Sequence, residues 1–304
     1  MTQTPTGRQV LVTGGGGFIG SHIADALLPD NEVRILDDFS SGSRERCPDG
    51  ATVVEGDIRD RDTVETAMDG VDLVFHEAAV VSVAQSVEDP ETSHATNVDA
   101  TLSILEAARR ADARVVFASS AAIYGAPESI PIAEDDRKEP SSPYGLEKLS
   151  GDHYCRLYHD LYGLETVPLR YFNVYGPGQT GGDYAGVINV FTDQARDGGP
   201  LTVDGDGEQY RDFVHIDDIV QANVLAATTD AVGRAYNVGT GQRTTIRELA
   251  EAIRDRIDPD ADIVHTDPRP GDIRESRPDI SRAREQLGYE PTLSLGEGLD
   301  DLLG

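Results

Sequence analysis

The sequence predicts an α/β chain built as a doubly wound parallel sheet, with a smaller C-terminal α/β lobe. Three observations predict it. Short apolar runs recur through residues 1–170, helical patterns alternate with them, and a glycine cluster sits at the first strand-to-helix junction. The runs are nearly continuous in apolar residues, which suits strands covered on both faces. Strand–helix alternation of this kind makes a parallel sheet.

The strands expected in order are Gln9–Thr13, Glu32–Leu36, Thr52–Glu55, Leu73–His76, Arg114–Ala118 and Thr166–Arg170. Helices are expected between them at Ile19–Leu28, Arg61–Met68, Thr92–Arg110 and Tyr144–Tyr162. After Arg170 the pattern changes. Tyr175–Gly186 reads as a glycine-rich loop, Val187–Arg196 as a helix and Leu201–Gly207 as a turn-rich strand region. Further helices are expected at Asp217–Thr228, Thr245–Arg256 and Ile280–Leu287. The chain divides into a first domain, residues 1–170, and a second lobe, residues 171–304. No linker separates them, so they are expected to share the sheet and exchange elements.

Charge and composition exclude several functions. The 304 residues hold 26 Lys+Arg against 55 Asp+Glu, a formal charge of −29. A broad face for nucleic acid or an anionic membrane needs basic surface, so neither is an expected partner. At 38% hydrophobic content the chain is too apolar and too regular for a disordered acidic protein. Cys47 and Cys155 lie far apart, which excludes a disulfide scaffold and a thiolate cluster. No histidine grouping has metal-ligand spacing, so no metal is expected. No apolar run reaches the ~18 residues of a membrane span, and no basic-then-apolar leader opens the sequence. A cytoplasmic protein is the expectation. Lys138 and Lys148 are the only lysines; acid enrichment with so little lysine resembles the proteins of salt-accumulating halophiles.

Gly14, Gly17 and Gly20 form a GxxGxxG frame around Phe18 and Ile19, and a GxGxxG frame is also readable. Such glycines allow a tight turn and let the backbone approach a pyrophosphate at a helix N-terminus. Asp37 ends the next strand and is placed to accept from ribose hydroxyls. Beside Asp38 it would repel a 2′-phosphate, which favours NAD over NADP. In Gly56-Asp57-Ile58, Asp57 offers a carboxylate to an adenine or caps a helix near Arg59–Asp62. In His76-Glu77-Ala78-Ala79 the small Ala78 and Ala79 permit close approach of a coenzyme, while His76 reads as a satisfied strand-end histidine.

Tyr144 and Lys148 are spaced i, i+4, on one helix face. Ionising a free phenol at pH 7 costs roughly 4 kcal/mol. A cation within ~4–6 Å lowers that cost, as does the positive nicotinamide of oxidised NAD. A phenolate can then take a proton from a substrate hydroxyl; the competing reading is a solvated surface pair. One of two retained lysines stands at this spacing, and an arginine fork would not replace its compact charge. Ser119 and Ser120 follow the fifth strand, where a hydroxyl can relay a proton or orient a substrate oxygen, or simply end a strand.

These motifs, in this order, resemble the NAD-dependent epimerase/dehydratase family of extended short-chain dehydrogenases/reductases. The likeness runs from TGGGGFIG at Thr13 through NV at Asn97, SSAAIYG at Ser119, SPYGLEK at Ser142, LRYFNVYGPGQ at Leu169 and RDFVHIDD at Arg211 to RPGD at Arg269. It implies a Rossmann-like fold with bound NAD, a first domain that holds the coenzyme and a second lobe that holds a nucleotide sugar. Ser120, Tyr144 and Lys148 would be the catalytic set. Asn97, Ser119 and Tyr171 would join the coenzyme contacts. Ser82, Asn173 and Val187 would touch substrate, Arg211 and Arg269 its diphosphate, and Asp272 its ribose. Guanidinium forks match phosphate oxygens; the competing reading of Arg211 is a pair with Asp212 or Glu208. Ser276 falls at the family's gate over the sugar 2-position, where a small residue admits an N-acetyl group. The activity implied is 4-epimerisation of a UDP-hexose through a 4-keto intermediate, by a homodimer joined through Thr92–Arg110 and Tyr144–Tyr162. Two departures stand out. Val80-Val81-Ser82 lacks a lysine common in epimerases, and Ala121-Ala122 stands where dehydratases and decarboxylases place an acid. The alternatives are a dehydratase, decarboxylase or reductase of the same family, or a non-catalytic NAD-binding sensor or scaffold.

Overall fold

The computed structural model describes residues 4–179, 186–269 and 271–304. The first part of the chain runs β1 (Gln9–Thr13), α1 (Phe18–Leu27), β2 (Glu32–Asp37), β3 (Thr52–Glu55), α2 (Arg61–Met68) and β4 (Leu73–His76). It continues through α3 (Val83–Glu88), α4 (Pro90–His94), α5 (Ala100–Ala111), β5 (Arg114–Ser120), α6 (Pro143–Tyr162) and β6 (Thr166–Tyr171). Then come β7 (Asn173–Tyr175), α7 (Val187–Arg196), β8 (Leu201–Asp204), β9 (Tyr210–Arg211), β10 (Phe213–His215), α8 (Ile216–Thr228) and β11 (Tyr236–Val238). The chain closes with β12 (Thr244–Thr245), α9 (Ile246–Ile257), β13 (Ile263–Thr266), α10 (Ser281–Leu287) and α11 (Leu295–Leu303).

Seven strands form one parallel sheet in the order β11-β6-β5-β4-β1-β2-β3. The order reverses between β1 and β4, the point at which sheets of this kind bind ligands outside the carboxyl ends of their strands. β11 comes from beyond residue 170 and pairs with β6, Tyr236 opposite Leu169.

Successive residues of a strand face opposite sides. Val10 and Val12 of β1 enter a core with α1 and α8, while Leu11 enters a second core with α2, α5 and α6. That two-sided burial explains the continuous apolar runs. A third core, around Phe191, Leu201, Leu249 and Leu299, holds the smaller lobe together.

The structure corrects several expectations. The single helix Thr92–Arg110 is broken into α4, a π-helical turn at Ala95–Asp99, and α5. The extra residue turns Asn97 inward, where it is bonded to Val80 and Glu147; inserted turns of this kind bend helices. β2, β5 and β6 run one or two residues further than their apolar runs, carrying Asp37, Ser119, Ser120 and Tyr171 within the ladder. The Leu201–Gly207 strand stops at Asp204, because Gly205 and Gly207 turn with positive φ. Short elements such as α3, β7, β11 and β13 carry too little periodicity to be read from sequence. Of the expected loop Tyr175–Gly186, residues 180–185 lie outside the described residues, as does Pro270 of the RPGD motif. No described helix is long and apolar enough to cross a membrane.

Candidate active site

The glycine turn connects β1 to α1. Gly14 has φ +72°, and a Cβ there would stand 2.7 Å from the backbone nitrogen of Ala78. Gly17 caps α1 with no side-chain hydrogen bond, so the first N–H groups of the helix remain open. A Cβ on Gly20 would collide with the Gly14 carbonyl, so close packing of helix on turn needs the third glycine. Phe18 and Ile19 pack their side chains against the core. Asp37 is nearly buried at the end of β2; one carboxylate oxygen accepts from Gly16 N at 2.8 Å and the other from Phe39 N at 2.8 Å. Asp38 accepts from Ser40 N and Oγ. The open helix terminus, the cradle under Gly14 and the carboxylate at Asp37 fit the pyrophosphate and ribose of a dinucleotide.

Asp57 departs from its helix-cap reading. Asp60 caps α2, while Asp57 takes a bidentate hold of Arg59, which keeps its carboxyl below the usual range. Ile58 is a core side chain, so only its backbone faces a ligand. His76 is buried and fully bonded. Thr101 Oγ1 donates to Asn97 O, so it accepts from His76 Nε2, and Nδ1 accepts from Thr13 Oγ1 at 2.7 Å. Burial, helped by Lys148, pushes the imidazole down to about 3, so the ring is neutral. Thr13 Oγ1 in turn accepts from Ala78 N at 3.3 Å, which fixes Ala78 and Ala79 beside the glycine turn.

Ser120, Tyr144 and Lys148 converge at the carboxyl end of β5. Ser142 caps α6 and Pro143 opens it, which places Tyr144 in its first turn. Ser120 Oγ accepts from Ala122 N at 3.1 Å and is a neighbour that lowers the Tyr144 phenol. Lys148 is buried, and its ammonium donates to the Ala118 carbonyl at 2.8 Å. Burial pushes Lys148 down to about 8, while Glu77 and Glu147 pull it up. The phenol is not lowered by its lysine within the protein itself. Burial raises Tyr144, Ser120 opposes this, and the charges of Glu147 and Glu77 raise it further.

Several expected ligand contacts are bonded within the protein. Ser119 Oγ donates to Asp152 at 3.2 Å. Asn97 spends its amide on Val80 and Glu147. Ser82 caps α3 by accepting from Gln85 N. Tyr171 OH donates to Glu77 at 3.0 Å and meets Asn223, leaving its ring as the available surface. Asn173 is exposed and donates to Asp212 O at 2.8 Å. Val187 begins α7 against the third core.

Arg211 pairs with neither Asp212 nor Glu208. Its Nη2 lies 2.6 Å from Asp272, while Asp212 is buried and bonded to Thr240. Arg269 pairs with Asp204 at 2.9 Å. Arg269 and Asp272 share a cavity of about 630 Å³ with Asp206, Arg247 and Arg274. Ser276 is half-buried, its N–H bonded to Tyr210 O. Among the described residues no His/Cys/Asp/Glu group could hold a metal.

Sequence reasoning passed over Glu77 and Glu147. Glu77 is bonded to Tyr171 and lies in the field of Lys148; burial raises its carboxyl to about 7, against the pull of both. Glu147 accepts from Ser93 and Asn97 at 2.7 Å each. The signal for Glu77 was its acid within an otherwise small and apolar HEAA segment.

This fold and site define a Rossmann-like dinucleotide-binding enzyme of the short-chain dehydrogenase/reductase type. More narrowly, residues 10–239 match the model of the NAD dependent epimerase/dehydratase family, and the chain belongs to that family. NAD is the family's coenzyme. The UDP-glucose 4-epimerase of Mycolicibacterium smegmatis is 39% identical over 96% of each chain. The structure of UDP-glucose 4-epimerase from Thermotoga maritima, with UDP-glucose, superposes with a TM-score of 0.92 at 39% identity over 96% of both chains. The UDP-N-acetylglucosamine 4-epimerase of Methanobrevibacter ruminantium M1, in complex with UDP-N-acetylmuramic acid, gives 0.93 at 39% identity, covering 97% of this chain and 98% of that one.

Proposed function

We propose that the chain catalyses NAD-dependent 4-epimerisation of a UDP-hexose through a 4-keto intermediate. The observation that carries this is the packing of the first turns of α6, with Tyr144 and Lys148 on them, against the end of β5 at Ala118–Ala122, beside Ser120. The open start of α1, Asp37 and the backbone beside Ala78 would hold the coenzyme. When bound, oxidised NAD supplies a hydride acceptor for the sugar C4 and a positive ring charge that favours the phenolate. Tyr144 takes the proton of the 4-hydroxyl as its C–H bond breaks, and returns it when the ketone is reduced on the other face. Ser120 donates to the same oxygen and orients it. Lys148, fixed by Ala118 O, would add its positive charge to that of the bound coenzyme and so oppose Glu77 and Glu147.

Residues 171–304 would hold the nucleotide sugar, with Arg211 and Arg269 on its diphosphate and Asp272 on its ribose. Each arginine would exchange its carboxylate partner for phosphate oxygens. The small Ser276 supports N-acetylhexosamines as well as hexoses. Ala121 and Ala122 supply no acid near the sugar, which disfavours elimination or decarboxylation. We infer a homodimer through α5 and α6, where Leu146, Leu157, Leu161 and Tyr162 of α6 are exposed. Incubation with UDP-galactose or UDP-N-acetylgalactosamine, followed by chromatography, tests the reading. Interconversion with the 4-epimer without net NADH supports it; NADH accumulating in step with product, or no new sugar nucleotide, overturns it.

A further inference from the structure

At the edge of the sheet beside β11, a cavity of about 410 Å³ is lined by Lys138, Arg156, Arg170, Arg234 and Arg282, with Glu134 and Asp135. Asp152, behind it, binds Arg170 at 2.8 and 3.1 Å and Arg156 at 3.1 Å. Arg282 pairs with Asp135 at 2.6 Å and lies 3.6 Å from Glu134. Lys138 and Arg234 form no ion pair among the described residues. Lys138 donates to Glu134 O at 2.5 Å and stands 5.8 Å from the Tyr124 ring centroid; Arg234 reaches only Gln286 Oε1, at 3.4 Å. Five cations therefore face three carboxylates, in a chain whose formal charge is −29. Burial and then Arg170 push the Lys138 ammonium down, against Asp135 and Asp152. Burial and then Arg156, with Arg170 and Lys138, push His153 down, against Asp152.

We propose that this cavity binds a phosphate group, free or carried on a small metabolite, between Lys138 and Arg234. A phosphate dianion matches the excess of two cations, and a guanidinium fork matches its oxygens. The volume lies within the range of small-molecule sites. It also places the second of the two lysines: the compact ammonium fits over Tyr124, while Arg234 offers the planar fork. The site is separate from the diphosphate arginines, Arg211 and Arg269, which do not line it.

Calorimetry on the full chain, at ionic strength held constant with KCl, tests this with two probes: inorganic phosphate and a hexose monophosphate. Each is titrated with and without saturating UDP. One equivalent of at least one probe is expected to bind in both conditions, and the tighter probe distinguishes free from carried phosphate. Lys138→Gln combined with Arg234→Gln is expected to weaken binding at least about tenfold. Arg234 is exposed, so Arg234→Gln alone gives the same direction should the double variant not fold. Binding by neither probe, binding lost when UDP is present, or binding unchanged in the variants overturns the proposal.

Discussion

Arg211 and Asp272 hold each other, Nη2 to Oδ1 at 2.6 Å, across 61 residues of chain. Arg211 is largely buried and Asp272 more open, so the arginine is held in place by a partner that, in the proposed reading, a diphosphate would replace. Charge-assisted bonds of this kind contribute about 1.5–3 kcal/mol. Arg211→Gln is expected to weaken UDP binding about 10- to 100-fold by calorimetry, with Asp272→Asn weakening it less. Unchanged affinity in Arg211→Gln would remove Arg211 from the ligand.

Tyr144→Phe keeps the ring and removes the proposed proton carrier. We expect turnover to fall about 10²- to 10⁴-fold, with the same unfolding midpoint and the same bound-coenzyme content. A variant that retains full epimerase activity would show that another group moves the proton.

Glu77 couples stability to pH. Burial raises its carboxyl from 4.5 to about 7 in the folded protein. Between those values the folded state holds the extra proton, so stability falls as pH rises through the window. Glu77→Gln removes this dependence. Its stability relative to the parent is expected to improve by at most about 1.4 kcal/mol per pH unit from 4.5 to about 7 and then level off. Denaturant unfolding across that range measures the difference; a constant difference would mean that Glu77 does not titrate there.

Gly14→Ala adds a methyl facing Ala78 N, at a left-handed φ. An L-residue there costs about 1–2 kcal/mol before any clash. The purified variant is expected to retain much less NAD than the parent, read by absorbance after denaturation, while Gly7→Ala, which has the same strain and open space around it, retains a normal amount.

The charge of −29 makes the folded surface repel itself in dilute buffer. Raising salt to ~1 M shortens the screening length to ~3 Å, so the unfolding temperature is expected to rise between dilute and molar KCl. A fall over that range would mean that the surface ion pairs outweigh the repulsion.

The amino-acid order alone carried the parallel sheet, because strands buried on both faces leave apolar runs such as QVLVT and LVFH whose bounds match β1 and β4. It also carried the glycine turn and the Tyr144–Lys148 spacing, since each is set by local geometry within a few residues. The π-helical turn at Asn97 and the return of β11 to the sheet arise from contacts between distant segments, and no local pattern records them. The charges show the division most sharply. Tyr144 and Lys148 share a helix face by spacing alone and Glu147 stands next to them on the same helix, but Glu77 reaches them only after folding, and burial changes how much each charge counts. Residue type and spacing set which groups are available for chemistry; desolvation and long-range neighbours set their protonation, their partners and whether a side chain such as Ser119 is free or bonded to Asp152.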